Sequence, residues 1–222
     1  MNVVYENFYK VPRLSKGMSD GGGPFGFDIH FALEIDYIIR KYNVKTFVET
    51  GTNAGDTSYY MAKTYPDIKI ITSEIDPYLF TFASDRLKEF DNVEVFLQSS
   101  EKTVKQISDS IENPLYYLDA HWNEYWPLVD EIKNIKNGVV CVADANINDS
   151  FYHFDDYEGV VCDINLIEEK EISTPIYYNN SRELNHYEYP CLQNIRRSGR
   201  MYFCKHNTND YFKNCKYFRL AD

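Results

Sequence analysis

The feature that most constrains this chain is a regular alternation of short apolar runs with longer amphipathic segments. The apolar runs have the length of strands and lack an alternating polar face; they are residues 45–49, 68–74, 93–97, 115–119 and 138–144. Apolar residues at helical spacing predict helices between them, at residues 54–65, 77–90, 103–111 and 126–135. Buried strands separated by helices are typical of a parallel sheet that is covered by helices on both faces.

The segments on either side of this alternation have a weaker pattern. Residues 14–26, LSKGMSDGGGPFG, are rich in Gly and Ser, which predicts a loop or a flexible lid. A helix is expected at residues 27–42, where apolar side chains recur on one face. After Asn146 the chain is polar and aromatic, and one further strand is expected at residues 200–205.

Charge and cysteine content disfavour several classes of protein. The formal charge of −11 over 222 residues disfavours binding to a nucleic-acid backbone. The five cysteines form no C-x-x-C pair, and the start MNVVYENFYK lacks a hydrophobic signal core. Reduced thiols and a cytoplasmic location are therefore expected. No apolar run is long enough to cross a membrane.

Two groups of residues near the C-terminus have alternative interpretations. Four cations lie close together in sequence: Arg196, Arg197, Arg200 and Lys205. They form either a solvated face or a site for a phosphate-bearing or sugar-nucleotide substrate. The residues with zinc-ligand chemistry are Cys191, Cys204, His206 and Cys215. Their spacing matches no compact zinc motif, which disfavours a zinc site.

The strongest motif is VETGTNAGDTS at residues 48–58, which follows a predicted strand and opens a helix. Gly51 and Gly55 allow a tight turn and the close approach of a ligand to the backbone. The new helix directs its free N–H groups toward that ligand. The alternative is a glycine turn that only reverses the chain. The G-x-x-x-G spacing differs from the dinucleotide G-x-G-x-x-G, which weighs against NAD and FAD, and the Gly-Lys-Ser/Thr of a P-loop is missing.

The second and third predicted strands end in polar residues. The sequence spacing between Gly55 and Glu74 is close to that expected when an acid binds the ribose hydroxyls of a nucleoside. The alternative is an acid that serves helix entry, a role for which Asp76 is better placed before Pro77. Ser99 and Ser100 follow the third strand, where they either contact an adenine edge or cap the next helix.

The fourth and fifth predicted strands end in candidate catalytic and metal-binding residues. The fourth ends in LDAHW, which provides Asp119 as an acid, His121 as a general base near neutral pH and Trp122 as a cavity wall. The fifth is followed by Asp144 and Asn146. Because these strands are neighbours in the predicted sheet, Asp119, Asp144 and Asn146 would suit Mg²⁺ or another divalent cation.

Together these motifs resemble the class I S-adenosylmethionine-dependent methyltransferases over residues 44–146. The resemblance implies a Rossmann-like α/β fold with a mostly parallel central sheet of about seven strands and helices on both faces. It also implies one domain, with residues 1–43 as lid loop and helix, 44–146 as the cofactor-binding core and 147–222 as a substrate-side region. The cofactor-binding residues that it implies are Glu49, Gly51, Thr52, Asn53, Gly55, Asp56, Thr57, Glu74, Ser99, Ser100 and Asp119.

Within that superfamily the chain is similar to the small-molecule O-methyltransferases, including the catechol and macrolide-sugar types. Those hold a divalent metal with an acid after the fourth strand and with Asp-Asn or Asp-Asp after the fifth, and Asp119 and Asp144 match the first two positions. Ala145 stands at the third position, with Asn146 one residue later. The lysine that follows the fourth-strand acid in the catechol type is absent.

The predicted function is methyl transfer from S-adenosylmethionine to a hydroxyl of a small molecule or carbohydrate, with Asp119 and His121 as catalytic residues. One alternative is a methyltransferase-like protein that binds the cofactor without catalysis, which the departure at Ala145 favours. Another is a different nucleoside-dependent transferase, such as an aminopropyl transferase. Methylation of a nucleic-acid base is disfavoured, because LDAHW replaces the Asp/Asn-Pro-Pro-aromatic motif. A homodimer is left open, and no membrane partner is expected.

Overall fold

The computed structural model of the protein describes residues 2–13, 22–120, 126–180, 187–193, 195–206 and 210–221. Its helices are α1 (Val3–Lys10), α2 (Ile29–Tyr42), α3 (Asp56–Thr64), α4 (Pro77–Leu87), α5 (Ser100–Ile107) and α6 (Leu128–Asn134). Its strands are β1 (Thr46–Thr50), β2 (Lys69–Glu74), β3 (Val93–Leu97), β4 (Pro114–Leu118), β5 (Gly138–Val142), β6 (Asp156–Tyr157), β7 (Val160–Val161), β8 (Tyr177–Asn179), β9 (Met201–Lys205) and β10 (Phe218–Leu220). Short 3₁₀ turns cover Pro24–Phe27, Ile164–Leu166 and Glu169–Glu171.

One eight-stranded sheet organises the described part of the chain, in the order β3-β2-β1-β4-β5-β9-β8-β10. Strands β1 to β5 pair in parallel, whereas the β5–β9, β9–β8 and β8–β10 pairs are antiparallel. The mostly parallel sheet is confirmed, but it has eight strands where about seven were expected. Strands β8 and β10 have three residues each, which is too short for a period-two pattern to be recognised in the sequence.

The five predicted core strands are present, and their ends agree with the prediction to within two residues. Helix ends agree less well: α4 ends at Leu87 rather than residue 90, and α5 begins at Ser100 rather than residue 103. Helix α1 was not predicted. It has eight residues, begins at the cap Asn2 and buries only Val4 and Phe8, so its apolar periodicity is short.

Both faces of the sheet are covered, as the apolar strands predict. Alternate residues of β1 belong to different core clusters: Phe47 packs with the aromatic and aliphatic side chains of α1, α2 and α3, and Val48 packs with those of α5 and α6. Within the described residues, none of the helices is both long enough and apolar enough to cross a membrane.

The site is positioned by the ends of the parallel strands. These strands end at Thr50, Glu74, Leu97, Leu118 and Val142. Because the strands run in the same direction, their carboxyl ends lie along one edge of the sheet, where open α/β sheets bind their ligands.

Candidate functional site

A cavity lies at the carboxyl edge of the sheet, between the loop after β1 and the tips of β4 and β5. Its volume is about 140 Å³, and it is open to solvent on one side. The lining residues are Gly23, Phe25, Gly26, Phe31, Glu49, Gly51, Thr52, Asn53, Ala54, Asp56, Thr57, Tyr117, Asp119, Asp144, Arg196 and Ser198.

The glycine loop brings β1, β2 and β4 together at this edge. The N–H groups of Gly51 and Thr52 both donate to the carbonyl oxygen of Ser73, at 3.0 Å. Gly51 has φ of +81°, and a Cβ at this position would lie 3.0 Å from the carbonyl oxygen of Asp119. A side chain at residue 51 would therefore combine backbone strain with a close contact to the β4 tip.

Helix α3 begins directly after this loop and is covered by the N-terminal segment. The N–H of Gly23 donates to Asp56 Oδ2, and the N–H of Phe25 donates to Thr57 Oγ1, both at 3.1 Å. Residues 22–26 of the predicted loop or flexible lid are mostly buried and contact α3 through these bonds, and the role of this segment as a lid stays a prediction. Residues 14–21 of that predicted lid lie outside the described residues.

Glu49 is one of two buried acids that line the cavity, the other being Asp56. Ser58 Oγ donates to Glu49 Oε2 at 2.5 Å, and Thr72 Oγ1 donates to the same oxygen at 2.9 Å. Burial raises the pKa of Glu49 to about 8, despite the opposing effect of these two donors, and the negative charge of Asp119 raises it further. Glu49 is therefore mostly protonated at neutral pH.

Glu74 lies beside the glycine loop, but it does not line the cavity. Its Oε2 accepts from the N–H of Asn53 at 2.8 Å. Its Oε1 accepts from the N–H groups of Ile75 and Asp76, each at 2.9 Å. The alternative role in helix entry falls to Asp76, whose carboxylate accepts from two N–H groups of the first turn of α4. Glu74, the predicted ribose-binding acid, thus lies next to the glycine loop. Its carboxylate also accepts hydrogen bonds from three backbone N–H groups.

Ser99 and Ser100, the predicted adenine-binding residues, also lie outside the cavity lining. Ser99 occupies the N-cap position of α5, but its hydroxyl makes no capping bond and donates to Glu101 Oε1 at 2.6 Å instead. The hydroxyl of Ser100 is buried without a hydrogen-bond partner. Gly55 also does not line the cavity; a Cβ there would meet Leu87 at 3.3 Å.

Of the three predicted metal ligands, two face the cavity. Asp119 and Asp144 line it, and the hydroxyl of Tyr117 donates to Asp119 Oδ2 at 2.7 Å. Asn146 does not line it: its amide oxygen accepts from the N–H of Asn148 at 3.1 Å. Across the described ranges, no group of three or more His, Cys, Asp or Glu side chains is placed to hold a metal ion. The positions of these residues therefore give no support to the predicted site for Mg²⁺ or another divalent cation.

The predicted base His121 and the predicted cavity wall Trp122 lie outside the described residues. Their neighbours at the tip of β4 are described. The N–H of Asp119 donates to Thr50 Oγ1 at 3.0 Å, which ties this tip to the end of β1. The role of His121 stays a prediction.

Two of the four C-terminal cations are buried in ion pairs with the N-terminal half of the chain. Arg200 is fully buried; its Nε and Nη2 donate to the two carboxylate oxygens of Glu34 at 2.9 and 3.0 Å. Arg197 donates from Nε to Asp28 Oδ2 at 3.0 Å. Burial by itself would raise the pKa of Asp28. The positive charges of Arg197 and Arg200 together have the larger effect, and they hold the pKa of Asp28 below its ordinary value. A solvated face is therefore the wrong interpretation of these two arginines.

The other two cations differ from each other. Lys205 is buried and donates to Glu171 Oε2 and to the carbonyl oxygen of Ile132, both at 2.6 Å. Arg196 is half-buried and lines the cavity. Of the four, only Arg196 is thus placed to meet a ligand in this cavity.

The cysteines considered as zinc ligands do not lie together. The five cysteines are free thiols. The thiol of Cys204 contacts the hydroxyl of Tyr42 at 3.3 Å, whereas the thiol of Cys191 contacts Asp28 Oδ1 at 3.3 Å. These side chains are held by different neighbours, and they do not form a shared site.

Sequence reasoning missed the aromatic wall of the cavity. Phe25, Phe31 and Tyr117 line it, and the ring of Phe25 packs against the other two at centroid distances of 4.8 and 5.4 Å. Phe25 has a left-handed φ of 51°, which is rare for a bulky residue. The signal that was available is the Gly-Pro-Phe-Gly sequence at the end of the glycine-rich segment, which indicates a constrained turn.

Known proteins were compared with this chain by family model, by sequence and by structure. No family model and no curated protein sequence matches it. A candidate O-methyltransferase from Klebsiella pneumoniae superimposes over 93% of this chain and 91% of its own, with a TM-score of 0.54 and 14% sequence identity.

Two further solved structures match more weakly. An SAH-bound methyltransferase from Podospora anserina matches over 64% of this chain and 62% of its own, with a TM-score of 0.42 and 16% identity. An O-methyltransferase from Bacillus cereus in complex with SAH matches over 65% and 66%, with a TM-score of 0.42 and 14% identity. The chain thus spans less than two thirds of the length of the Podospora protein. Taken with the sheet order, the Klebsiella match shows that this chain has the fold of the class I methyltransferases.

Proposed function

We propose that this protein is an S-adenosylmethionine-dependent methyltransferase that methylates a hydroxyl group of a small molecule or carbohydrate. The observation that carries the proposal is the position of the cavity. It lies at the carboxyl edge of a sheet with the order β3-β2-β1-β4-β5, between a left-handed glycine loop and the acid Asp119.

The charges around the cavity fit the cofactor. S-adenosylmethionine carries a sulfonium and an ammonium group, and Asp119 and Asp144 provide negative charge in a partly desolvated site. The glycine loop allows the amino-acid part of the cofactor to approach the backbone. Asp119 is therefore the residue we assign to the cationic end of the cofactor.

Glu74 is assigned to the ribose, with one remaining acceptor site. A carboxylate has about four lone-pair sites. Three of them accept the N–H groups of Asn53, Ile75 and Asp76. One site is left, so we expect Glu74 to accept a hydrogen bond from one ribose hydroxyl rather than from both.

The transfer step needs alignment of acceptor and cofactor and removal of one proton. The cofactor supplies an electrophilic methyl group: the methyl–sulfur bond breaks as the oxygen–methyl bond forms, and the bonding electron pair stays on sulfur. The hydroxyl proton passes to a base on this chain, for which His121 is the predicted residue. The aromatic wall of Phe25, Phe31 and Tyr117 excludes water from this step.

Calorimetric titration with S-adenosylhomocysteine (SAH), the demethylated product, tests the cofactor site. Gly51→Ala introduces the Cβ that would lie 3.0 Å from the carbonyl oxygen of Asp119, so we expect SAH affinity to fall more than tenfold. Gly159→Ala is the matched control, because Gly159 has φ of +83° with no atom within 4 Å of its added Cβ. Equal SAH affinity in both variants and the wild type would reject this site.

Turnover of a labelled methyl group separates catalysis from binding. We expect wild-type protein to transfer label to at least one member of a panel of small hydroxyl compounds. Tight SAH binding without any transfer would instead favour a cofactor-binding protein that lacks catalysis.

A further inference from the structure

The position of Arg196 sets it apart from the neighbouring cations. Arg197 and Arg200 are committed to buried carboxylates, whereas Arg196 is half-buried and lines the cavity. It is the one cationic side chain among the described lining residues. The chain has a formal charge of −11, so its overall field repels anions. A cation at this place acts locally, on a ligand that is already in the cavity.

Arg196 lies at the end of the cavity that the segment before β9 forms. The loop follows β1, whereas Arg196 and Ser198 precede β9, three strands along the edge. Asp119 and Asp144 lie on the two strands between them. The negative charges of Asp119 and Asp144 disfavour a cofactor carboxylate at this end, so we take it as the acceptor side.

Exposed apolar side chains border the same end. Phe151, Phe154 and Ile195 are 54%, 43% and 64% exposed, and we call them the apolar rim. Their segments are held together because the N–H of His153 donates to the carbonyl oxygen of Arg197 at 2.8 Å.

The rim is also tied to the cavity wall. The N–H of Asp155, next to Phe154, donates to the carbonyl oxygen of the lining residue Asp144 at 2.9 Å. Ile195 directly precedes Arg196 in the chain. The rim therefore places apolar surface beside a single positive charge.

We propose that the methyl acceptor is an amphipathic anion. Its carboxylate or phosphate pairs with Arg196, and its apolar part lies on the rim of Phe151, Phe154 and Ile195. This proposal rests on the proposed function, because it names the class of molecule that the methyltransferase site accepts.

Matched probes test this proposal in protein saturated with SAH. The probes are 3,4-dihydroxybenzoate and 4-hydroxyphenyl phosphate as anions, and 3,4-dihydroxybenzamide as the uncharged counterpart. We expect wild-type protein to bind at least one anion tenfold or more tightly than the amide. The better of the two anions identifies carboxylate or phosphate as the preferred group. Arg196→Gln should remove the preference, and Arg196→Lys should retain most of it.

Arg40→Gln is the matched control, because Arg40 lies on the exposed side of α2 and its side chain is 64% exposed. This variant should leave probe binding unchanged. Equal binding of the amide and both anions by the wild type, or failure of all three probes to bind, would overturn the proposal.

The affinity for SAH separates the two proposals. If Arg196→Gln weakens SAH binding rather than anion binding, Arg196 contacts the cofactor and the acceptor assignment is wrong. If the wild type does not bind SAH at all, the proposed function itself fails.

Discussion

The raised pKa of Glu49 makes the stability of this protein depend on pH. Burial raises that pKa from its ordinary 4.5 to about 8 in the folded protein. Between these two values the unfolded chain carries a charge at Glu49 that the folded protein lacks. Unfolding therefore releases a proton, and a higher pH favours unfolding.

The size of the effect follows from the two pKa values. Each pH unit between about 4.5 and about 8 lowers the free energy of unfolding by about 1.4 kcal/mol. Over the whole interval the loss is about 5 kcal/mol, and no further loss occurs once the folded-state group is ionised. The stability contributed by protonated Glu49 is thus complete below pH 4.5 and is lost as the pH rises through 8.

Urea denaturation from pH 5 to pH 9 measures this dependence. Glu49→Gln removes the titration but keeps an acceptor for the hydroxyls of Ser58 and Thr72. Its stability should therefore lose less with rising pH than that of the wild type. Glu94→Gln is the control, since Glu94 is 47% exposed and pairs with Lys69 at the surface. If the difference between wild type and Glu49→Gln is flat across this range, the account of Glu49 is refuted.

Three further predictions follow from other parts of the site. Affinity for S-adenosylmethionine should rise as the pH passes through about 8, because its cationic sulfonium favours ionised Glu49. Affinity for SAH, which has no sulfonium, should rise less. Calorimetric profiles against pH that run parallel for the two ligands would contradict this. Arg200→Met leaves the buried carboxylate of Glu34 unpaired and should lower the free energy of unfolding by about 3–5 kcal/mol. The same change at the exposed Arg40 should cost at most about 1 kcal/mol by urea denaturation, and equal losses would remove the special role of the buried pair. His121→Ala should lower methyl turnover more than SAH affinity, and unchanged turnover would exclude His121 as the base.

The parallel half of the fold was predictable because its strands are continuous apolar runs. Strands buried on both faces, such as β1 with Phe47 and Val48, are short apolar runs. They are therefore easily told apart from the longer amphipathic segments that form the helices. The glycine motif then indicated the edge of the sheet at which the cavity lies. Glu49, Gly51 and Asp119 consequently appear together at the cavity, as the motif implies.

Of the antiparallel half, the sequence predicted only β9, at residues 200–205; β8 and β10 were missed because their positions depend on contacts distant in sequence. The segment after Asn146 has short strands, and its position is set by pairs such as Arg200 with Glu34, which are 166 residues apart. A local pattern of cations indicates a solvated face, and only the folded chain shows that two of these arginines are buried. Asn146 is a different case, because the contact of its amide oxygen with the N–H of Asn148 is local and is set by the turn after β5.

A crystal structure with bound SAH tests the central claim most directly. The account predicts that the sulfur atom lies in the cavity beside Gly51 and Asp119, and that one ribose hydroxyl donates to Glu74. SAH bound elsewhere, or with its ribose remote from Glu74, would contradict the assignment of this cavity as a methyltransferase site.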